Sequence, residues 1–283
     1  IRDSSTSRGL GDVYKRQLIY RAHFAFSKNP IVNSKGVNTS AVYGFLNTLL
    51  ELINKEKPTH FAVAFDTKAP TFRSEIFTEY KANRERQPED IQVAIPIIKK
   101  FLNNLNIQIV EKDGFEADDV IGTLSYEISQ EKNTKVFMMT PDKDFAQLVK
   151  ENVFLYKPAF MGRGVDILGV DEVLKKFQIE RVDQVIDFLG LQGDSVDNIP
   201  GVPGVGPKTA QKLLKEYGDI EGIIENKDKN WFNQEHNCDC QCNLYEAKIH
   251  PMLRFLHQKN IESCGCTIIF SHFLNYIQKI LIT

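Results

Sequence analysis

The first 237 residues of this 283-residue chain contain no cysteine; all five (Cys238, Cys240, Cys242, Cys264 and Cys266) come after them. A secreted disulfide framework would distribute its cysteines through the fold, so that class is excluded. An excess of either charge is missing too. The 35 Lys and Arg against 37 Asp and Glu leave a formal −2, unlike a histone-like or membrane-surface protein. Long apolar runs are also lacking: the nearest, Thr267 to Thr283, is interrupted by His272, Asn275, Gln278 and Lys279, so no membrane span is expected. There are no repeats or low-complexity segments. With 42% apolar and 25% charged residues, the chain can bury the core of one large domain or two small ones. The opening IRDSSTSRGLGDVYKRQ carries two Asp and no apolar segment, which suits neither a signal nor an anchor, and a cytoplasmic location is expected.

The middle of the chain alternates short apolar blocks with amphipathic stretches. HFAVAF (60–65), NIQIVE (106–111) and KVFMMT (135–140) read as buried strands. Helices are predicted over 42–53, 90–105 and 117–128, which gives β-α-β order and a mainly parallel sheet with helices on both faces. Beyond Asp166 strands are expected to stop, leaving helices over 171–177, 183–190 and 208–217 as a subdomain.

Ligands of open α/β sheets bind beyond the carboxyl ends of the strands. Carboxylates follow each of these strands: Asp66 after HFAVAF, Glu116, Asp118 and Asp119 after NIQIVE, and Asp142 and Asp144 after KVFMMT. Asp194 and Asp197, three apart in GDSVDN, can share a turn. Asp118 and Asp119 would sit in a helix first turn, where the dipole favours negative charge, but capping needs only one or two acids. Eight acids at one edge repel unless cations neutralise them. Oxygen-only donors favour a hard divalent ion, Mg²⁺ or Mn²⁺, and two such ions about 4 Å apart can activate a water and stabilise the leaving oxygen of a phosphodiester. Setting those eight charges aside turns the formal −2 into +6, which removes the compositional objection to a nucleic-acid partner.

Two further segments fit such a partner. In GVPGVGPKTA, Gly204 and Gly206 allow close approach of a phosphate to backbone N–H groups at a helix start, and Lys208 adds charge, as in a helix-hairpin-helix that holds duplex backbone. In RSEIFTEYKANRER, a helix would put Lys81 and Arg84 on one face and leave Tyr80 able to stack on a base. Taken in isolation this second stretch also reads as a solvated helix face.

In their order and spacing, LIYRAHFAF, AVYGFLNTLL, AFDTKAPTFRSEIFTEYKANR, FEADDVIGTL, TPDKDFAQLV and LGLQGDSVDNIPGVPGVGPKTAQKLL resemble the 5′-nuclease domain of bacterial DNA polymerase I, within the flap endonuclease superfamily. The resemblance spans about residues 18–226. It implies a PIN-like α/β fold with a helical arch and a helix-hairpin-helix subdomain. The implied activity is metal-dependent 5′-3′ hydrolysis of DNA and RNA primer strands at flaps, nicks and branches, in replication and repair. By the same resemblance Asp66, Glu116, Asp118 and Asp119 hold one metal group and Asp142, Asp144, Asp194 and Asp197 the other. Lys81 and Arg84 match the arch pair at the scissile phosphate, and Arg73 and Tyr80 match positions on the threaded strand. Gly204, Gly206 and Lys208 match the hairpin that grips the duplex, with a K⁺ ion. The expected organisation is 18–165 for the catalytic domain and 166–228 for the hairpin subdomain, in a bacterial, nucleoid-associated protein whose parent carries a polymerase domain.

Two departures accompany the match. The family's first strand ends in a metal-binding Asp where this chain has Tyr14, with Asp12 two places away. This motivates a second reading, a branched-DNA binding module that does not cut. Residues 1–17 and 229–283 are expected to be foreign or frame-shifted ends. CDCQC and CGC with His236 and His250 could form a zinc site in the tail, although their spacing is not the usual two to four residues. A third reading, an RNA-processing nuclease of the wider PIN-like group, shares the acids but has no need of the hairpin.

Overall fold

A computed structural model describes residues 17–84, 86–158 and 164–226. Helix α1 (Gln17–Ala25) leads into α2 (Ser40–Glu56). Strand β1 (Ala62–Ala64), the short α3 (Phe72–Ile76), α4 (Glu89–Asn104), β2 (Gln108–Val110) and α5 (Ala117–Ser129) follow. Then come β3 (Val136–Met139), a 3₁₀ turn (Asp144–Leu148), β4 (Val153–Lys157) and β5 (Asp166–Leu168). Four helices close the described chain: α6 (Val170–Phe177), α7 (Gln184–Gln192), α8 (Pro207–Tyr217) and α9 (Ile220–Glu225).

The strands form two sheets among the described residues, not one. β1 pairs parallel with β2, and β3 pairs parallel with β4, whose far edge carries β5 antiparallel. Strand β4 is absent from the sequence expectation because VFLYK is one short apolar block that helix and strand patterns accommodate equally. β5 begins at the residue where strands were expected to end. Its three residues pair with β4, so the line drawn at 165 runs through a sheet.

The helices follow their apolar periodicity. In α4, Ile91, Ala94, Ile98 and Leu102 recur at three- and four-residue intervals and are fully buried against Phe45 and Leu49 of α2. Pro96 lies inside α4 on the side away from that core; it removes one helical N–H and the remaining turns hold the helix. A second core joins β3 and β4 to the last helices through Met138, Leu155, Val173, Val185, Leu191 and Leu214. The helical subdomain is therefore packed on the sheet and not tethered beside it. Between the two cores lies α5, whose Ala117 and Val120 pack with Ala64 and Val110.

Candidate active site and nucleic-acid interface

The parallel strands deliver their acids to one edge. Asp66 follows β1, and its Oδ1 accepts the Ala117 N–H at 2.8 Å, which fixes the start of α5 beside it. Asp119, in the first turn of α5, accepts the Glu116 N–H at 2.9 Å. Asp142 and Asp144 follow β3, and Asp142 Oδ1 accepts the Asp144 N–H at 3.0 Å. Asp194 and Asp197 occupy one turn, closed by paired Asp194 and Ile199 backbone bonds of 2.9 and 2.8 Å. In the Asp66, Asp119 and Asp142 contacts a backbone N–H donates to a carboxylate oxygen, and Asp119, Asp142 and Asp197 are buried.

What meets those oxygens is protein cation. Arg73 makes a bidentate pair with Asp119 at 2.6 and 2.6 Å, and both side chains are about 3% exposed. Lys81 Nζ donates to Glu116 Oε1 at 2.6 Å, and the Tyr80 hydroxyl donates to Glu116 Oε2 at 3.2 Å. Arg84 pairs with Asp197, and Lys143 Nζ lies 3.5 Å from Asp194 Oδ2. Among the described residues no three His, Cys, Asp or Glu side chains stand at metal-ligating spacing. The acids are drawn instead towards Arg73, Lys81, Arg84 and the α5 N-terminus.

The helix expected through Lys81 and Arg84 is replaced by turns over 78–83 after α3 ends. Lys81 sits at φ +58°, a left-handed conformation unusual for a side-chain-bearing residue. The turn is tied to GDSVDN: the Lys81 N–H donates to Asp197 O at 3.0 Å, Asn83 Nδ2 to Ser195 O at 2.8 Å, and Asn198 Nδ2 to Glu79 O at 2.8 Å. Lys81 and Arg84 still face the same cluster, through turn geometry and not through helical spacing. Arg73 and Tyr80 are buried, so in this conformation neither meets a strand; Asn83 and Asn198, which the sequence reading passed over, hold the turn shut.

The electrostatics fit a crowded acid cluster. Burial pushes the Asp118 carboxyl well above the ordinary carboxylate range, and Asp142, Glu116 and Asp66 push it further. Burial would raise Glu116 as well, but Lys81 and Arg73 outweigh it and hold Glu116 below its usual value. Tyr80 is raised by burial and then by Glu116 and Asp197, so its hydroxyl stays a donor. Glu116 and Asp118 at the start of α5, Asp142 after β3 and Asp197 in GDSVDN, from three chain segments, thus share one electrostatic environment.

The hairpin follows GDSVDN directly in the chain. Gly204 has φ +76°, Gly206 is the N-cap of α8 with Pro207 as the first helical residue, and Lys208 is exposed. A Cβ built on Gly204 or Gly206 would meet nothing within 4 Å, so the backbone there is open to a ligand. Two other glycines set its position. A Cβ on Gly193 would come within 2.2 Å of Gly201 N, and one on Gly201 within 2.2 Å of Gln192 O, so the hairpin entry runs in backbone contact with the end of α7. Such close approach leaves no periodicity in the sequence to reveal it.

An α/β fold with an acid edge, a basic turn tied over that edge and a glycine hairpin has the arrangement of a nuclease. Residues 15–178 match the 5′-3′ exonuclease N-terminal resolvase-like domain, and residues 180–253 match the 5′-3′ exonuclease C-terminal SAM fold, past the boundary of 228 drawn from the motifs. The chain belongs to the 5′-3′ exonuclease family. It is 44% identical over 211 residues to a 5′-3′ exonuclease of Aquifex aeolicus, covering 75% of this chain and 70% of that protein. It is 42% identical over 216 residues to DNA polymerase I of Caldicellulosiruptor bescii, covering 75% of this chain but only 25% of the polymerase. The fold is similar to that of the T5 D15 protein co-crystallised with metal ions (TM-score 0.64, 19% identity, 93% of this chain and 97% of that one). Tyr14, His236, His250 and the cysteines lie outside the described residues, as does the question of zinc in the tail.

Proposed function

We propose that this chain is a structure-specific 5′-3′ exonuclease and flap endonuclease acting on DNA, and on RNA primers, at 5′ flaps, nicks and branches. A bacterial, nucleoid-associated setting and a polymerase domain in a longer parent go with this reading, as do the catalytic part 18–165 and the hairpin part 166–228. The observation that carries it is the convergence of Glu116, Asp118, Asp142 and Asp197 with Lys81 and Arg84 at one edge. A pure binding module has no use for acids that must be neutralised by buried cations, at a cost in desolvation. The hairpin favours DNA over the RNA-processing alternative.

The donor set suits a hard divalent cation. It is all oxygen, and the raised Asp118 carboxyl marks a place where added positive charge is favoured. Asp66, Glu116, Asp118 and Asp119 would hold one ion and Asp142, Asp144, Asp194 and Asp197 the other. Bound Mg²⁺ or Mn²⁺ would supply water activation and stabilisation of the leaving oxygen. The protein's own part is positional. Lys81 and Arg84 reach a phosphate only when Glu116 and Asp197 give them up, so the arch cations exchange one set of oxygens for another and meet the charge that develops on the reacting phosphate. Gly204, Gly206 and Lys208 hold downstream backbone through N–H groups and one ammonium, where a K⁺ ion would also fit the family pattern.

The test is incision of a 5′-labelled flap duplex by the purified chain in Mg²⁺ and in EDTA, beside Asp142→Ala. Metal-dependent cutting near the junction, lost in the variant, is the expected result. Tight, salt-sensitive binding with no cutting in Mg²⁺ or Mn²⁺ would overturn the enzyme in favour of the binding module.

A further inference from the structure

Two asparagines close the basic turn over GDSVDN through backbone carbonyls. Asn83, exposed on the turn, donates from Nδ2 to Ser195 O at 2.8 Å, and Asn198 donates back from Nδ2 to Glu79 O at 2.8 Å. Between these bonds the Lys81 N–H donates to Asp197 O at 3.0 Å. On the two sides of this seam Lys81 and Asn198 stand at φ +58° and +56°, left-handed conformations that the cross-bonds hold in place. The closed turn sets its cations on the acids. Lys81 Nζ donates to Glu116 Oε1 at 2.6 Å and the Tyr80 hydroxyl to Oε2 at 3.2 Å, so both oxygens of that carboxylate are engaged. Arg84 donates to Asp197 Oδ1, and the side chains of both ion pairs are largely buried. A dication on Glu116 or Asp197 would therefore stand a few ångström from an ammonium or guanidinium on the same carboxylate. At a partly buried site solvent screens that repulsion little.

We infer that closure of the basic turn and binding of a divalent cation at the acid edge are antagonistic, and that Asn83 and Asn198 set the balance between them. The choice of ion rests on the proposed nuclease function, whereas the closure stands on the hydrogen bonds themselves. In the closed turn Lys81 and Arg84 neutralise Glu116 and Asp197. Once those carboxylates are neutralised by a hard dication instead, Lys81 and Arg84 are released to meet a phosphate. Coupling between two equilibria is reciprocal, so whatever loosens the turn strengthens metal binding, and metal binding loosens the turn. Asn83 and Asn198 act on the acids only through the turn, which makes them positioning residues. Deleting either side chain should tighten metal binding although it removes a native contact, and a merely structural residue would weaken the site or leave it unchanged.

The experiment uses the full chain without DNA, as the parent, Asn83→Ala, Asn198→Ala and Lys81→Met, each checked by its melt. Mn²⁺ affinity is read from the electron paramagnetic resonance of the free ion, and opening of the turn from trypsin cutting after Lys81 and Arg84 in EDTA and in Mg²⁺. Asn83→Ala should bind Mn²⁺ about two- to tenfold more tightly, as expected when one neutral hydrogen bond ceases to oppose it. Lys81→Met should tighten binding too, but it also removes a charge, so the asparagine variants discriminate. Trypsin should cut the parent at these two sites at least about fivefold faster in Mg²⁺ than in EDTA, and should cut Asn83→Ala fast in both. Mn²⁺ affinity that is unchanged or weaker in the asparagine variants, or cutting of the parent that ignores Mg²⁺, would overturn the antagonism, while flap incision in Mg²⁺ would keep the nuclease. Tighter Mn²⁺ binding in the asparagine variants with no flap incision by the parent would do the reverse. A chain that binds no Mn²⁺ would overturn both. If either asparagine variant fails to fold, the other carries the test from the opposite side of the seam.

Discussion

The two basic elements assigned to nucleic acid in the proposed function, the turn at 78–84 and the hairpin at 201–208, are held in opposite ways. The turn is shut: its Lys81 and Arg84 pair with acids, its Tyr80 is buried together with Arg73 of α3, and three hydrogen bonds tie its backbone and side chains to GDSVDN. The hairpin is open, with backbone at Gly204 and Gly206 that meets nothing and a Lys208 that is exposed. Its shape comes from below, where Val202 and Val205 are buried and the Val202 N–H donates to Leu191 O at 2.9 Å. One element must exchange partners to work, and the other is ready as it stands. Substrate should therefore engage the hairpin first, and the turn should supply selectivity for what reaches the acid edge.

The comparison breaks most visibly in turnover. Asp142→Asn removes a carboxylate from the acid edge while leaving the Asp144 N–H an acceptor, and cutting should fall by at least about 100-fold. Flap affinity in EDTA should stay within about threefold, because the hairpin is untouched. A parallel loss of affinity would mean that the two elements are not separable.

Next comes the buried pair beneath the turn. Arg73→Ala leaves Asp119 buried and unpaired, for which roughly 3–5 kcal/mol of destabilisation is expected. Thermal denaturation should record it as a fall in Tm of about 10 °C. Charge reversal of exposed Lys208 should leave the melt unchanged within about 0.5 kcal/mol. An Arg73→Ala protein that melts with the parent would show that the turn is not anchored from below.

The helices α2, α4 and α5 were legible from their apolar periodicity, and strands β1 to β3 from short apolar blocks, β1 bounded by Pro58 and Asp66 and β3 by Asn133 and Pro141. Among the acids brought together, Asp66 and Asp142 lie just past β1 and β3, and Glu116 past β2 and the Gly114 turn, which is the pattern the sequence presents. The turn was not legible. Its Lys81 is at positive φ because Asp197 O and Glu116 hold it there, and both partners lie far along the chain from it. Sequence spacing of Lys81 and Arg84 suggests a helix face, and tertiary contacts override it. Gly193 and Gly201 were invisible for a related reason: their role is close backbone approach between segments, which leaves no pattern in either one. Gln184 is similar. It is buried, accepts from the Glu180 and Arg181 N–H groups at 2.9 and 3.1 Å, and donates to Gly218 O at 2.6 Å, which joins α7 to the end of α8 beneath the hairpin.

The support under the hairpin also carries a pH dependence. Burial, followed by Glu221, Asp219 and Asp183, raises the Asp187 carboxyl on α7 to about 7. A raised acid favours the protonated folded state, so it weakens folding progressively as pH climbs from the unfolded value near 3.8 to about 7, and by a constant amount above that. Asp187→Asn should therefore stabilise the protein by on the order of 1–3 kcal/mol at pH 8 and change little at pH 4. Melts at the two pH values test the sign, and equal effects at both would place the cause outside Asp187 ionisation.

The smallest effect sharpens the comparison at the hairpin itself. Lys208 adds one ammonium to backbone N–H groups that are already presented at the start of α8. Removing it as Lys208→Ala should weaken flap and plain duplex binding alike by about two- to fivefold and lower the salt slope by about 0.9, as expected for one phosphate contact that reads no sequence. Turnover at saturating substrate should be unchanged, since the acid edge and the turn are untouched. If Lys208→Ala instead lowered turnover at saturation, the hairpin would be part of the closing step at the turn, and the order of engagement argued from their opposite conformations would have to be reversed.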